Sequence, residues 1–306
     1  MSNLEKYYDS IEKIDRACST VIENSIAIFL PFKRIDKTDI YKKFEKNNST
    51  IDIENHFFEK VECKGRLLGQ THKDILEILL SMSEHTTYSK DTAKFKINTT
   101  AYELTKRLGR NKGKKQWIIE KIDEIAECRI KIFYTNSNND NETFNFSFIS
   151  SIRTINENEI EVNFTPEYTH FLIYNELLDY KNYIPNIMKL EADIREIQRA
   201  CKKRRNLDGT VGLKRGINTE FIKSIVRYML THNGNNSQIR LDNLIYKTKL
   251  NSIMSIRELE ENLYDLKRKP IQELLKNKFG ITLTADEQTI TFNSIYPKYH
   301  IRQVLP

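Results

Sequence analysis

Apolar residues recur at helical and strand periods along most of the chain. Residues 71–82 put Ile75, Leu76, Leu79 and Leu80 on one face, which predicts an amphipathic helix. A polar loop and a short strand at 94–97 follow. Thr99 or Thr100 is placed to cap a second helix at 101–108, and Gly109 to stop it. Residues 110–113 then turn into a third helix at 114–127, with Ile118, Ile122, Ile125 and Ala126 inward. Alternation predicts strands at 129–134 and 144–148, joined by a turn at 137–141, and a third strand at 160–164 closing their sheet.

The same order returns in the second half: a helix at 221–230, a strand at 238–240 and a helix at 241–247. Ser255 and Glu258 form a capping box that opens another helix, and a hairpin follows at 281–284 and 289–293. Apolar spacings agree between the halves. Ile118, Ile122 and Ile125 match Leu259, Leu263 and Leu266. Helix, strand, helix, turn, helix and hairpin is the order of a helix-turn-helix with a β-hairpin wing. The expected class is therefore α+β, with tandem winged-helix domains at 56–180 and 219–306. Between them, at 181–218, an amphipathic helix at 187–203 leads into a basic junction containing Gly209, Gly212 and Gly216. In the 1–55 segment, Leu4, Tyr7, Ile11, Ile14, Cys18 and Val21 fit a heptad, which predicts a helical arm that packs on the first domain or pairs two copies as a homodimer.

Charge sharpens this picture. The 306 residues carry a net +7, but residues 106–115 hold +6 and residues 199–216 another +6, so the remainder is mildly acidic. Positive blocks of this kind suit a polyanion. The first block falls where a helix-turn-helix meets DNA, at the end of one helix, the turn and the start of the next. Lys106, Arg107, Arg110, Lys112, Lys114 and Lys115 are its candidate phosphate contacts and Gln116 a candidate for a base edge. Trp117, the single tryptophan, is expected in the core. The junction supplies Lys202, Lys203, Arg204, Arg205, Lys214 and Arg215. The second unit offers Lys247, Lys249, Asn251, Ser252 and Arg257, with Lys267 and Arg268 at the far end of its helix.

Other chemistries are not indicated. Cys18, Cys63, Cys128 and Cys201 stand singly, as expected of reduced thiols, and no spacing suits a metal. The run from Gly109 to Lys115 is one residue short of a phosphate-binding P-loop and lacks its Ser or Thr. No nucleophile–base constellation occurs, so binding without catalysis and without cofactors is expected. No apolar run nears the roughly 18 residues that span a bilayer, and the acidic N-terminus is unlike a signal peptide. A cytoplasmic protein is expected.

The run Gly65-Arg-Leu-Leu-Gly-Gln-Thr-His-Lys-Asp-Ile-Leu, the helix-turn-helix through residues 97–127, and Leu266-Lys-Arg-Lys-Pro-Ile-Gln-Glu-Leu274 resemble the plasmid replication initiators with two winged-helix domains, the Rep/TrfA type. The last run is similar to the proline-containing recognition-helix region of such initiators. The resemblance implies binding to double-stranded direct repeats (iterons) at a plasmid origin, melting of adjacent DNA, and recruitment of host helicase and replication initiator proteins. A winged-helix transcriptional regulator without an origin function is the alternative.

Overall fold

A computed structural model of the chain describes residues 18–82, 86–89, 94–110, 115–135, 139–155, 159–174, 177–208, 216–232 and 237–296. The chain enters through strand β1 (Ser19–Thr20), helix α1 (Val21–Ser25), β2 (Phe29–Leu30), α2 (Asp39–Lys46), β3 (Thr50–Ile53), β4 (Lys60–Lys64) and β5 (Leu68–Gly69). Residues 18–55 are thus a mixed segment and not the helical arm expected. Cys18 and residues 26–30 are buried in the main core, and β3 pairs with β4. The heptad positions before Cys18 lie outside the described residues.

Helix α3 (Gln70–Ser81) is the hub. Every residue from 72 to 80 is buried. Strands β6 (Thr86–Ser89) and β7 (Lys94–Thr100) lead into α4 (Ala101–Arg107), capped by the Thr100 hydroxyl, which accepts from the Glu103 N–H at 3.0 Å. Gly109, at φ +63°, ends that helix. Helix α5 (Lys115–Glu127) follows, its Ile118, Ile122 and Ile125 fully buried as the periodicity requires.

The strands after α5 differ from expectation. Strands β8 (Arg129–Thr135) and β9 (Asn141–Ser147) form a hairpin, but it joins β3 and β4 in the order β3-β4-β8-β9. A strand that alternation did not reveal, β10 (Ile149–Ile155), pairs with β11 (Glu159–Phe164), and β11 pairs with β7. The 160–164 strand therefore closes the β7 sheet and not the β8–β9 hairpin. Ser150, Ser151, Arg153 and Thr154 make β10 polar, which hides an edge strand from a hydrophobicity pattern.

Helix α6 (Pro166–Tyr174), β12 (Leu177–Leu178) and the long α7 (Ile184–Asp208) connect to the second half. There α8 (Thr219–Met229), β13 (Ser237–Arg240), α9 (Leu241–Thr248), the single turn α10 (Leu250–Ile253), α11 (Ile256–Lys267) and α12 (Lys269–Phe279) precede β14 (Ile281–Leu283) and β15 (Thr289–Phe292). Ser255 and Glu258 form the expected reciprocal cap on α11. The run from Leu266 to Leu274 is not one helix. Arg268 is extended, and Pro270 sits in the first turn of α12, where its missing N–H leaves no hydrogen bond unmade.

The halves share a sheet plan. In the first, the antiparallel order is β10-β11-β7, with β6 added beyond β7; in the second it is β14-β15-β13. In each, the last strand of the hairpin pairs with the strand that precedes the helices, two in the first unit and four in the second. The β8–β9 hairpin is an insertion in the first copy.

Gly280 is at φ +69°, and a β-carbon there would run into the carbonyl oxygen of Asn293. Gly280→Ala is expected to cost about 2 kcal/mol or more, from left-handed strain plus displacement of the β15 exit. Thermal unfolding of the variant against the parent checks this.

Candidate nucleic-acid interface

The first helix pair presents its cations unevenly. Lys106 is exposed near the end of α4 and Lys115 half-buried at the start of α5; neither makes an ion pair among the described residues. Gln116 is exposed beside it. The two arginines are committed within the chain. Arg107 Nε bonds Glu103 Oε1 at 2.7 Å, one helical turn back. Arg110 turns inward: its guanidinium lies 4.8 Å from the Trp117 ring centroid and its Nη2 lies 3.7 Å from Glu191 Oε2 of α7. Trp117 packs, half-buried, against the core. Lys112 and Lys114 lie outside the described residues.

The helix expected at 187–203 runs further, from Ile184 to Asp208. Lys202 and Lys203 are in it as expected, and the backbone of Arg204 and Arg205 continues it toward Asp208. Lys214 and Arg215 lie outside the described residues. In the second half Lys247 is exposed, with no ion pair among the described residues, and Asn251 and Ser252 are exposed on α10. Lys249, at φ +55°, sets its ammonium 4.6 Å from the Tyr246 ring, whose other neighbour is His56 at 4.5 Å between centroids. Arg257 bonds Glu261 at 3.0 Å, Lys267 lies 3.6 Å from Glu287, and Arg268 Nε lies 2.8 Å from Asp265 Oδ1 while covering Tyr264. The cluster at 267–268 thus lies at the junction of α11 and α12, at the far end of the helix as expected.

Helix α5 is oriented by Glu124. This carboxylate takes Arg66 Nη2 at 2.8 Å, Lys121 Nζ at 2.7 Å and His72 Nε2 at 2.6 Å. His72 Nδ1 accepts the Gly69 N–H at 3.0 Å, so Nε2 carries the proton and donates to Glu124. Burial lowers the His72 pKa and keeps the ring neutral near pH 7. Burial alone would raise the Glu124 pKa, but the bonds from His72 and Lys121 hold it down to about 2. A carboxyl depressed in the fold contributes stability above its unfolded value and loses it as pH falls through the folded one. Stability should therefore drop as pH falls from about 4.5 through 2, and Glu124→Gln should flatten that part of a urea-denaturation pH profile.

The feature that sequence reasoning missed is a buried ionic network joining the halves. Arg227 of α8, 2% exposed, donates from Nε to Glu77 Oε1 at 2.7 Å and from Nη2 to Glu77 Oε2 at 2.6 Å and Asp74 Oδ1 at 2.7 Å. Its Nη1 donates to Gln70 Oε1 at 2.5 Å. Lys223 donates to Asp74 at 2.5 Å, and Lys73 to Ser19 at 2.6 Å and to Glu23 at 3.1 Å. Tyr168 and Tyr180 donate to Glu23 and Glu77 at 2.7 and 2.5 Å. Burial alone would lower the Arg227 pKa, but Glu77 and Asp74 raise it well above its ordinary value. Three cations meet three carboxylates, so the network is neutral and nearly every polar atom is used.

No family model and no curated protein matches the sequence. The fold is similar to two crystal structures of domains 2 and 3 of RctB. One, of selenomethionine derivatives, superposes with a TM-score of 0.47 at 11% identity over 81% of this chain and 91% of that chain. The other gives 0.40 at 12% identity over 83% and 91%. Among the described residues no helix is long and apolar enough to cross a membrane, and no group of three or more His, Cys, Asp or Glu is placed to hold a metal.

Proposed function

We propose that the chain is a DNA-binding replication initiator of the two-winged-helix kind, which acts by binding and not by catalysis. The observation that carries this reading is the repeated sheet plan, β10-β11-β7 and β14-β15-β13, each with helices between its first strand in the sequence and its hairpin, α4 and α5 in the first unit and α9 to α12 in the second. That plan suits winged-helix domains at 56–180 and 219–306, each offering one helix to the major groove. Lys106, Lys115 and Gln116 serve the first copy; Lys247, Asn251, Ser252 and Arg257 serve the second. Two unlike readers in one chain fit a long asymmetric target, hence direct repeats at a plasmid origin in a bacterial cytoplasm. Local melting, recruitment of host helicase and initiator proteins, and a repressing homodimer follow from the same reading.

Footprinting of the purified protein on DNA flanking its own gene tests the proposal. Protection of tandem direct repeats, each covering about two turns of duplex, is expected. A single protected palindrome would assign a transcriptional regulator instead, and no protection at all would overturn DNA reading by this chain.

A further inference from the structure

The inserted hairpin gives the first half a second sheet, β3-β4-β8-β9, which the proposed duplex reading does not use. Its inner face sends Val61, Cys63, Ile130, Ile132 and Phe146 into the core. Its outer face alternates with them. Lys60, Glu62 and Lys64 of β4 and Arg129, Lys131 and Phe133 of β8 are half-buried or exposed, and β9 adds Thr143 and Asn145, both exposed.

Charge on that face is unevenly satisfied. Its two carboxylates both belong to Lys60, whose Nζ lies 2.9 Å from Asp52 Oδ1 and 3.4 Å from Glu62 Oε2. Glu62 stands opposite Lys131 in the register, yet the Lys131 ammonium lies over the Phe133 ring, 4.6 Å from its centroid. Lys64 and Arg129 are directly opposite each other and both exposed. Neither they nor Lys131 makes an ion pair among the described residues. Carboxylates at the ends of the sheet do not change this. Glu59 accepts from the Thr135 hydroxyl, Glu54 lies with it in the loop beyond the Phe133 end, and Glu127, exposed at the end of α5, makes no pair with Arg129. Like charges directly opposite on a sheet are destabilising, so an anion on Lys64 and Arg129 would relieve a standing cost.

Spacing decides which anion fits. Lys64 and Arg129 are one strand apart, about 5 Å, and Lys131 is two residues further on, about 7 Å. Cations in so short a row can follow one phosphate backbone but cannot reach across a groove about 12 Å wide to a second. Phe133 comes next in the row, and Asn145 and Thr143 stand opposite Lys131 and Phe133. Aromatic and amide groups use the faces and edges of bases, and the faces are open only in an unpaired strand. We infer that the outer face of β4, β8 and β9 binds single-stranded nucleic acid, its phosphates on Lys64, Arg129 and Lys131 and one base taking the place of Lys131 over the Phe133 ring. The inference does not rest on the duplex reading, whose cations lie on the helices.

Fluorescence anisotropy of the full-length protein with labelled oligothymidylate and oligouridylate, each of about 20 nucleotides, tests this and separates a DNA strand from an RNA strand. Saturable binding of at least one is expected. Lys64→Gln, Arg129→Gln and Lys131→Gln together should weaken it at least about tenfold and lower its salt slope by about 2, while duplex affinity changes less than about threefold. Phe133→Leu, which keeps an apolar side chain in the row, should weaken it about tenfold with the slope unchanged. Circular dichroism checks that each variant is folded, and the triple variant, altered only on the outer face, decides the matter if Phe133→Leu is not. No saturable binding of either oligonucleotide overturns the inference, as does a triple variant that binds them like the parent. An equal loss on single strand and duplex also overturns it, since the sheet would then serve the duplex. Footprints on duplex DNA that survive any of these outcomes leave the initiator reading intact.

Discussion

Arg227→Ala is expected to remove about 3–5 kcal/mol of folding free energy, read as a lower urea midpoint by circular dichroism. The magnitude follows from what is left behind. Asp74 and Glu77, 2% and 0% exposed, would lose their shared guanidinium, and Tyr180 and Lys223 cannot satisfy both. Against a total stability of about 5–15 kcal/mol for a domain, this is a large share. Arg227→Met combined with Glu77→Leu removes charge from both sides and should cost less than Arg227→Ala alone, because an unpaired buried charge is the dominant penalty. A loss below about 1 kcal/mol for Arg227→Ala would show that water reaches the network and that it does not hold the halves together. Helices α3 and α8 open the two repeated units, and the network bonds them to each other directly, so the spacing between the two units is set inside the protein.

Local rules made much of this fold legible. Ser255 with Glu258 marked α11, Thr100 marked α4, and the 4-then-3 spacing of Ile118, Ile122 and Ile125 placed the buried face of α5. What stayed hidden was pairing between distant strands and burial of charge. Nothing in residues 129–164 says that β11 will choose β7 across two helices, and β10 is too polar to announce itself. Lys73, Asp74 and Glu77 read as the wet side of an amphipathic helix, yet α3 is buried all round. The available signal was complementarity: carboxylates at 74 and 77 and cations at 223 and 227, each pair within one helical turn. On the candidate interface, sequence could list cations but not sort them. Glu103, Glu191, Glu261 and Asp265 each claim an arginine, and those partners are set by helix spacing or by the approach of α7.

That sorting decides the salt response. With about six to ten phosphate contacts, affinity for duplex DNA should fall roughly 10³–10⁵-fold between 50 and 200 mM salt, because each neutralised phosphate releases counterion. Lysines with no ion pair among the described residues contribute fully, since no such pair must be broken to engage a phosphate. Arginines already on carboxylates must first give up a pair; on a solvated surface that costs about 0.2–1 kcal/mol, which offsets part of their gain. Lys106→Ala, Lys115→Ala and Lys247→Ala together should therefore lower the slope of log affinity against log salt by about 2.7, alike on specific and random DNA. Arg110→Ala should change DNA affinity by less than about threefold, since its guanidinium is turned toward Trp117 and Glu191. Gel-shift titrations across that salt range measure all of this. A flat response would rule out phosphate-led binding, and a triple variant that keeps its slope but loses its preference for one sequence would place these lysines at base edges.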